Sequence, residues 1–192
     1  MRRATIGIAI MAASFAAGAG GAQAATRSSA HPIRAQAATR SSANPTRAQI
    51  RRAVSHAERS SYLWATVNIC KADRGHGGLL GIRGEMTALG FRSTLSMTVQ
   101  LRQYDRSRAR YVWVKGTTAR RTVSLGSLRT GVHQDGAEFH YSSATGLLDA
   151  IVTFTWTRDG RRLGTATRTT TAGHHTAAFA DPPRYSAASC RL

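Results

Sequence analysis

Between residues 62 and 171 the chain alternates apolar and polar positions with a period of two. In LSMTVQLR, Leu95, Met97, Val99 and Leu101 share one face while Ser96, Thr98, Gln100 and Arg102 share the other, which predicts a half-buried strand. LDAIVTFTW repeats the pattern, with Leu148, Ala150, Val152, Phe154 and Trp156 inward and Asp149, Thr153 and Thr155 outward. Asp159-Gly160 separates it from RRLGTATRTTT, and DG between two such runs predicts a hairpin. Weaker strands fit YLWATVNIC, LGIRGEMTA, RYVWVKG, RTVSLGS and AEFHYSS. Seven or eight short strands with Gly-rich turns and no helical pattern between them predict an all-β domain, a single antiparallel β-sandwich over residues 61–192.

Upstream the period changes. Thr46-Arg-Ala-Gln49 has the form of a capping box, and Ile50, Ala53, Val54 and Ala57 follow at helical spacing, so a short helix is expected within 46–60. A helix of that length is marginal alone and needs its stripe docked on the domain. Residues 22–34, AQAATRSSAHPIR, recur at 35–47 as AQAATRSSANPTR, a tandem duplication identical at all but two of thirteen positions. Rich in Ala, Ser, Thr and Arg without an apolar period, residues 25–45 cannot bury enough surface to offset their ordering entropy and are expected to be a disordered basic arm. Residues 1–24 carry a positive start (Met1-Arg2-Arg3), an apolar run broken by Gly and Ala, and the small-residue site GAQA, which together predict a secretory signal peptide cleaved after Ala24.

An exported protein meets an oxidising compartment, where thiols pair and stay paired. With two cysteines, Cys70 and Cys190, one disulfide is the expected outcome. The competing reading makes Cys70 a nucleophile with His76 as its base, but RGHGG is a glycine turn that fixes nothing. Charge adds a second expectation. Residues 25–60 carry seven Arg against one Glu, and residues 61–192 carry 18 basic against 8 acidic side chains, so both parts are basic. Such an excess favours anionic partners: an anionic polymer of the cell envelope, a membrane surface, or nucleic acid.

Two clusters could carry chemistry. In YDRSRARYVWVKGTTARR, residues 104–121, basic side chains interleave with Tyr104, Tyr111 and Trp113, and Arg106, Arg108 and Arg110 alternate as though projecting from one strand face. Arg102, Arg106, Arg108, Arg110, Lys115, Arg120 and Arg121 are the candidate anion-binding residues, since cations beside exposed aromatics hold phosphates and stack rings. The blander alternative puts Tyr111 and Trp113 in the core and leaves the arginines to solvate a hairpin. In HQDGAEFH, His133, Asp135, Glu138 and His140 crowd together; a small secreted metal-dependent hydrolase could use them, but the spacing matches no zinc motif. A solvated loop running into a strand is the expected state there. There is no G-x-S-x-G elbow, H-E-x-x-H, P-loop or dinucleotide-binding pattern, so the expectation is a non-catalytic module without a cofactor.

With these residues placed, the chain resembles a group of secreted proteins of high-GC Gram-positive bacteria that share LWATVN-x-C, IGIRG-x-M, a W-x-x-x-G hairpin, RTTTAGH and an ending like ADPP-x-x-SAA-x-C. Here those are Leu63–Cys70, Ile82–Met86, Trp156–Gly160, Arg168–His174 and Ala180–Cys190. The resemblance implies a secreted domain and brings no activity with it. In strand count and DG hairpin the domain also looks immunoglobulin-like or fibronectin-like. It departs from immunoglobulin domains in its cysteines, which stand 120 positions apart and join the first strand to the chain end rather than two central strands.

Overall fold

The computed structural model describes residues 44–73, 77–142 and 146–192. The expected signal peptide, the basic arm up to residue 43 with most of its repeat, and His76 lie outside the described residues. Within them the chain forms a helix, α1 (Arg47–Glu58), and nine strands: β1 (Trp64–Asp73), β2 (Gly77–Thr87), β3 (Ser93–Asp105), β4 (Arg110–Trp113), β5 (Arg120–Leu128), β6 (Val132–Tyr141), β7 (Leu147–Arg158), β8 (Arg161–Thr169) and β9 (Cys190–Arg191). The smaller sheet has the order β1-β2-β6. In the larger sheet β3 and β7 pair at the centre, β4 and β5 succeed one another along the free edge of β3, and β8 and β9 do the same along β7. All these pairings are antiparallel. The eight strands expected from the alternation are present, with the DG hairpin joining β7 to β8; β9 had no sequence signal.

The two sheets face each other through the predicted apolar positions. Leu95, Met97, Val99 and Leu101 of β3, and Leu148, Ala150, Val152, Phe154 and Trp156 of β7, are fully buried against Leu80, Ile82 and Met86 of β2. Burial of each large side chain contributes about 1.5–3 kcal/mol. On the inward face of the smaller sheet Ala65 pairs with Gly84. A Cβ at Gly84 would stand 3.0 Å from the Phe154 ring and the Met97 sulfur, so glycine is what lets that ring lie against the sheet. Trp156 satisfies its indole N–H by donating to the Thr87 carbonyl at 2.8 Å, across the two sheets.

Simple alternation places Cys70 on the same strand face as Trp64. The structure corrects this. The β1–β2 register shifts between Val67 and Ile69, making Asn68 an extra residue. Before the shift Ala65 and Val67 point into the core and Trp64 and Thr66 away from it; after it Cys70 stands opposite the fully buried Leu80 and points inward. Cys70 is thereby aimed at Cys190, to which it is bonded, with a Cα–Cα distance of 5.5 Å. Cys190 pairs with Leu148 of β7, so the disulfide ties the smaller sheet to the larger. Closing a sequence separation of 120 residues stabilises the fold by about 4–5 kcal/mol in the chain-entropy model.

Helix α1 begins with the expected capping box: the Gln49 N–H donates to Thr46 Oγ1 at 3.2 Å and the Thr46 N–H to Gln49 Oε1 at 2.7 Å. Its stripe docks as the pattern requires, with Val54 and Ala57 buried in the core cluster and Ile50 and Ala53 packed against it. Gly164 of β8 leaves the space that Val54 fills, and a Cβ there would collide with the valine's methyl groups. Arg168 fastens the turn after the helix, donating to the carbonyls of Glu58 and Leu63. We expect Gly164→Ala to displace Val54 and cost about 1–3 kcal/mol by overpacking, read as a lower thermal midpoint with loss of helical circular dichroism. A companion Val54→Ala change should recover most of the loss.

Candidate functional site

The outer face of the larger sheet is set by the β3–β4 register, in which Arg102 stands opposite Trp113 and Tyr104 opposite Tyr111. Partners across an antiparallel pair share a face, so these four side chains form one patch. Tyr104 and Tyr111 meet edge to face with ring centroids 5.3 Å apart. Arg102 donates from Nε to Asp149 Oδ1 at 3.0 Å and from Nη2 to Oδ2 at 2.6 Å. Its guanidinium lies 5.3 Å from the Tyr111 ring centroid and 5.9 Å from that of Trp113. Asp149 does lie on the outward face, as alternation predicts, yet it is buried: Arg102 covers it from solvent, and the pair satisfies both groups. Trp113 is 56% exposed, so the reading that placed it in the core does not hold.

The other candidate basic residues divide among different surroundings. Arg106, Arg108 and Arg110 do not alternate along a strand, because residues 106–109 form the β3–β4 turn and Arg110 only opens β4. Asp105 organises that turn: its Oδ1 accepts from the Ser107 hydroxyl and N–H and from the Arg108 N–H. The Ser107 hydroxyl bond is the main reason that the carboxyl is held below its usual range, with the Arg108 charge adding to it. The three arginines therefore sit exposed at the hairpin tip. Lys115 is exposed in the loop before β5, and Arg120 opens β5 on the outer face, opposite Gln100. Arg121 takes the other parity and lies over the Phe139 ring at 5.9 Å, away from the Trp113 patch. Strand alternation is what separates these neighbours.

Beside Trp113 runs an open groove of about 400 Å³ lined by Thr98, Gln100, Trp113, Arg120, Ile151 and Thr153. It continues into a surface without apolar stripes. The registers align Thr122, Thr98, Thr153 and Thr167 in one row across β5, β3, β7 and β8, and Ser124, Ser96, Thr155 and Thr165 in the next. None of these eight hydroxyl-bearing residues is buried. This array follows from outward Ser and Thr on four separate strands, a signal that is visible only once the registers are known.

A second cleft, about 430 Å³, involves Asn68, Arg83, Gly136, Glu138 and His140 on the smaller sheet together with Arg121, Thr122 and Val123 of β5. HQDGAEFH is strand throughout, not a loop entering one, since β6 starts at Val132. Its unbroken register puts Glu138 and His140 on one side and His133 and Asp135 on the other, so the four do not converge. Among the described residues no group of three or more His, Cys, Asp or Glu stands in metal-holding reach. Arg83 is buried, with its guanidinium over the Phe179 ring at 5.0 Å and an ion pair to Asp135 at 3.6 Å. Burial lowers its pKa, opposed by Asp135 and Glu138.

The outer face of the smaller sheet carries a strap that the sequence pattern did not reveal. Residues 171–187 run along the free edge of β1, where Val67 and Ala187 exchange backbone hydrogen bonds of 2.9 and 3.0 Å and the Asp181 N–H donates to the Asn68 carbonyl. The strap then covers the face: His174 stacks on Trp64 at 4.4 Å, and Gln134 Oε1 accepts from the Ala178 N–H at 2.8 Å. Beneath it Glu85 accepts from the Trp64 indole and from Gln134.

No family model matches the chain, and no curated protein does. Among solved structures it is similar to Bacteroides uniformis beta-glucuronidase 2 covalently bound to cyclophellitol-6-carboxylate aziridine, at 15% identity and a TM-score of 0.35 over 58% of this chain and 13% of that one. A glycosyl hydrolase family 2 member from Bacteroides cellulosilyticus DSM 14838 is similar at 8% identity and a TM-score of 0.30, over 58% of this chain and 15% of that one. The chain thus spans a small part of the length of either.

Two outcomes follow from this geometry. Arg102→Ala strips the cover and the counter-charge from buried Asp149, and should cost about 2–3 kcal/mol, less than a fully buried pair because Arg102 keeps some contact with water. The double variant Arg102→Ala/Asp149→Ala should be more stable than the single one in urea denaturation. His174 has its pKa lowered, chiefly by burial, with Glu85 opposing and His175 assisting. A histidine whose folded pKa lies below its unfolded value stabilises the fold above that ordinary value, about 6.5, and ceases to do so as pH falls through the folded pKa. The protection factor of the Ala178 amide, its exchange rate taken relative to the unfolded chain at the same pH, should fall toward acid pH, and His174→Phe, which keeps a stacked ring that does not titrate, should flatten that dependence.

Proposed function

We propose that the chain is an exported, non-catalytic binding module of the cell envelope, and that the outer face of its larger sheet holds an anionic polymer. The observation that carries this reading is Trp113, 56% exposed beside Arg102, on a face that bears Arg120 and is bordered by the exposed Lys115 and the hairpin tip of Arg106, Arg108 and Arg110. An exposed indole on a surface otherwise dressed in hydroxyls and arginines supplies both a stacking plane and charge. Export is supported by the disulfide, which persists in oxidising compartments, by the signal-like residues 1–24, and by the resemblance to secreted proteins. We also read the sandwich as immunoglobulin-like. Its strand orders, β1-β2-β6 against β4/β5-β3-β7-β8, support this by corresponding to A-B-E and C′-C-F-G.

The test is salt dependence. Affinity for a polyanion that displaces two or three counterions should fall about 10- to 40-fold between roughly 50 and 200 mM salt. Replacing Arg106, Arg108 and Arg110 together by Gln should weaken binding and flatten the slope without altering the thermal midpoint. Probes are a teichoic-type polymer, single-stranded DNA and anionic vesicles; a flat response to salt with all three would refute the reading, and binding to vesicles alone would move it to the membrane surface.

A further inference from the structure

We infer that the groove beside Trp113 is a binding site for an acidic glycan, with a sugar ring stacked on the indole and its carboxylate or phosphate group on Arg120. The inference rests on the reading above that this face binds an anionic polymer, and it names the chemistry of that polymer.

Three features of the groove select the ligand. The first is the wall. Of the three tryptophans, Trp64 and Trp156 are buried and Trp113 is not, so one indole is available to stack. A pyranose has an apolar face of C–H groups and a rim of hydroxyls, which suits an indole standing over a polar floor. The second is that floor, made by Thr98, Gln100, Thr153 and Ile151. Gln100 offers an amide with two donors and an acceptor, and Thr153 a hydroxyl that donates and accepts. Thr98 and Thr122 share one hydrogen bond at 2.9 Å, which occupies a single proton of the two hydroxyls and leaves the other to give. Beyond the groove the two hydroxyl rows extend across β7 to β8 at the strand spacing of about 4.7–4.9 Å, a track on which further sugar units can lie.

The third feature is the sparseness of free charge. Arg102, nearest the indole, is committed to Asp149 through both oxygens, and Asp105 sits at the same end of the sheet paired with Arg108. Arg120 is the cation that lines the groove itself. A nucleic acid strand presents a phosphate at every nucleotide and is held by a tracking row of cations. This groove instead pairs hydroxyl partners with one lining guanidinium, the other exposed cations standing at the hairpin tip and in the loop before β5, and the guanidinium's fork takes carboxylate and phosphate alike. A glycan with acidic groups spaced among hydroxyls matches that arrangement. The cleft at Arg83 competes poorly as the site: its arginine is already engaged by Phe179 and Asp135, and Glu138 lines the same space.

The experiment uses the whole mature chain, with affinity read by titration calorimetry and contact with the indole by the fluorescence of the exposed Trp113. Titrate with an oligosaccharide of uronic acid units, its methyl ester, a polymer of hexopyranosyl phosphate units and an oligothymidylate. Expected are saturable changes in Trp113 emission with the two acidic glycans, binding of the methyl ester at least tenfold weaker than its parent acid, and weaker binding still by oligothymidylate. Trp113→Ala should lower affinity for the acidic glycans at least tenfold, and Arg120→Gln should abolish the preference for acid over ester. The relative strength of uronate and hexopyranosyl phosphate assigns the acidic group. Polyanion binding that survives Trp113→Ala overturns this inference and leaves the broader reading standing, as does oligothymidylate binding tighter than either glycan. Absence of binding by every probe overturns both.

Discussion

The ten-residue register between β3 and β7, from Thr94 opposite Thr157 to Gln103 opposite Leu148, governs both faces of the larger sheet. Because side chains alternate, a slip of one residue would carry the apolar set of one strand, Met97 and Val99 or Phe154 and Trp156, into water and turn its threonines or serines into the core. The inward rows bury the largest side chains of the domain, and that burial holds the register. Once it is held, the outward rows have no freedom left: Arg102 must stand opposite Asp149 and Thr98 opposite Thr153. The proposed binding face is therefore a by-product of the core's demand for alignment.

The scarcity of acidic residues makes the placement of each one informative. A chain with 27 basic and 9 acidic side chains has few carboxylates for structural work, and it places them where a charge needs an answer. Asp149 lies beneath Arg102 and fixes that guanidinium against two aromatic rings. Asp105 caps the hairpin turn, and Glu85 joins the Trp64 indole to Gln134 beneath the strap. The arginines that remain exposed at the hairpin tip and along β5 supply the excess that an anionic polymer would meet.

Why the larger sheet rather than the smaller offers the open face is answered by the chain end. Residues 171–187 lie along β1 and fold over the smaller sheet, and just beyond them the last strand pairs with β7 while its Cys190 is bonded to Cys70 of β1. Anchored at both ends, the strap costs less entropy to order than a free tail, and it occupies the surface that a ligand would otherwise reach. Among the described residues nothing covers Trp113 or the hydroxyl rows of the larger sheet in this way.

The sequence by itself determined the class of fold, the eight principal strands, the capped helix, the DG hairpin and the cysteine pairing, because each is written in local periodicity, in turn chemistry or in a count of two. It also marked the arginine- and tyrosine-rich stretch at 104–121 as the place to look. Tertiary structure alone decided which of those residues act together. The bulge at Asn68 reversed the parity of Cys70; the turn at residues 106–109 took three arginines off the strand; alternation sent Arg121 to the far side and split His133 and Asp135 from Glu138 and His140. The Arg102–Asp149 pair spans 47 positions in the chain, and the threonine rows draw on four strands. Such features arise from register between distant segments, and register is fixed by the packing of side chains across the core, which no local pattern records.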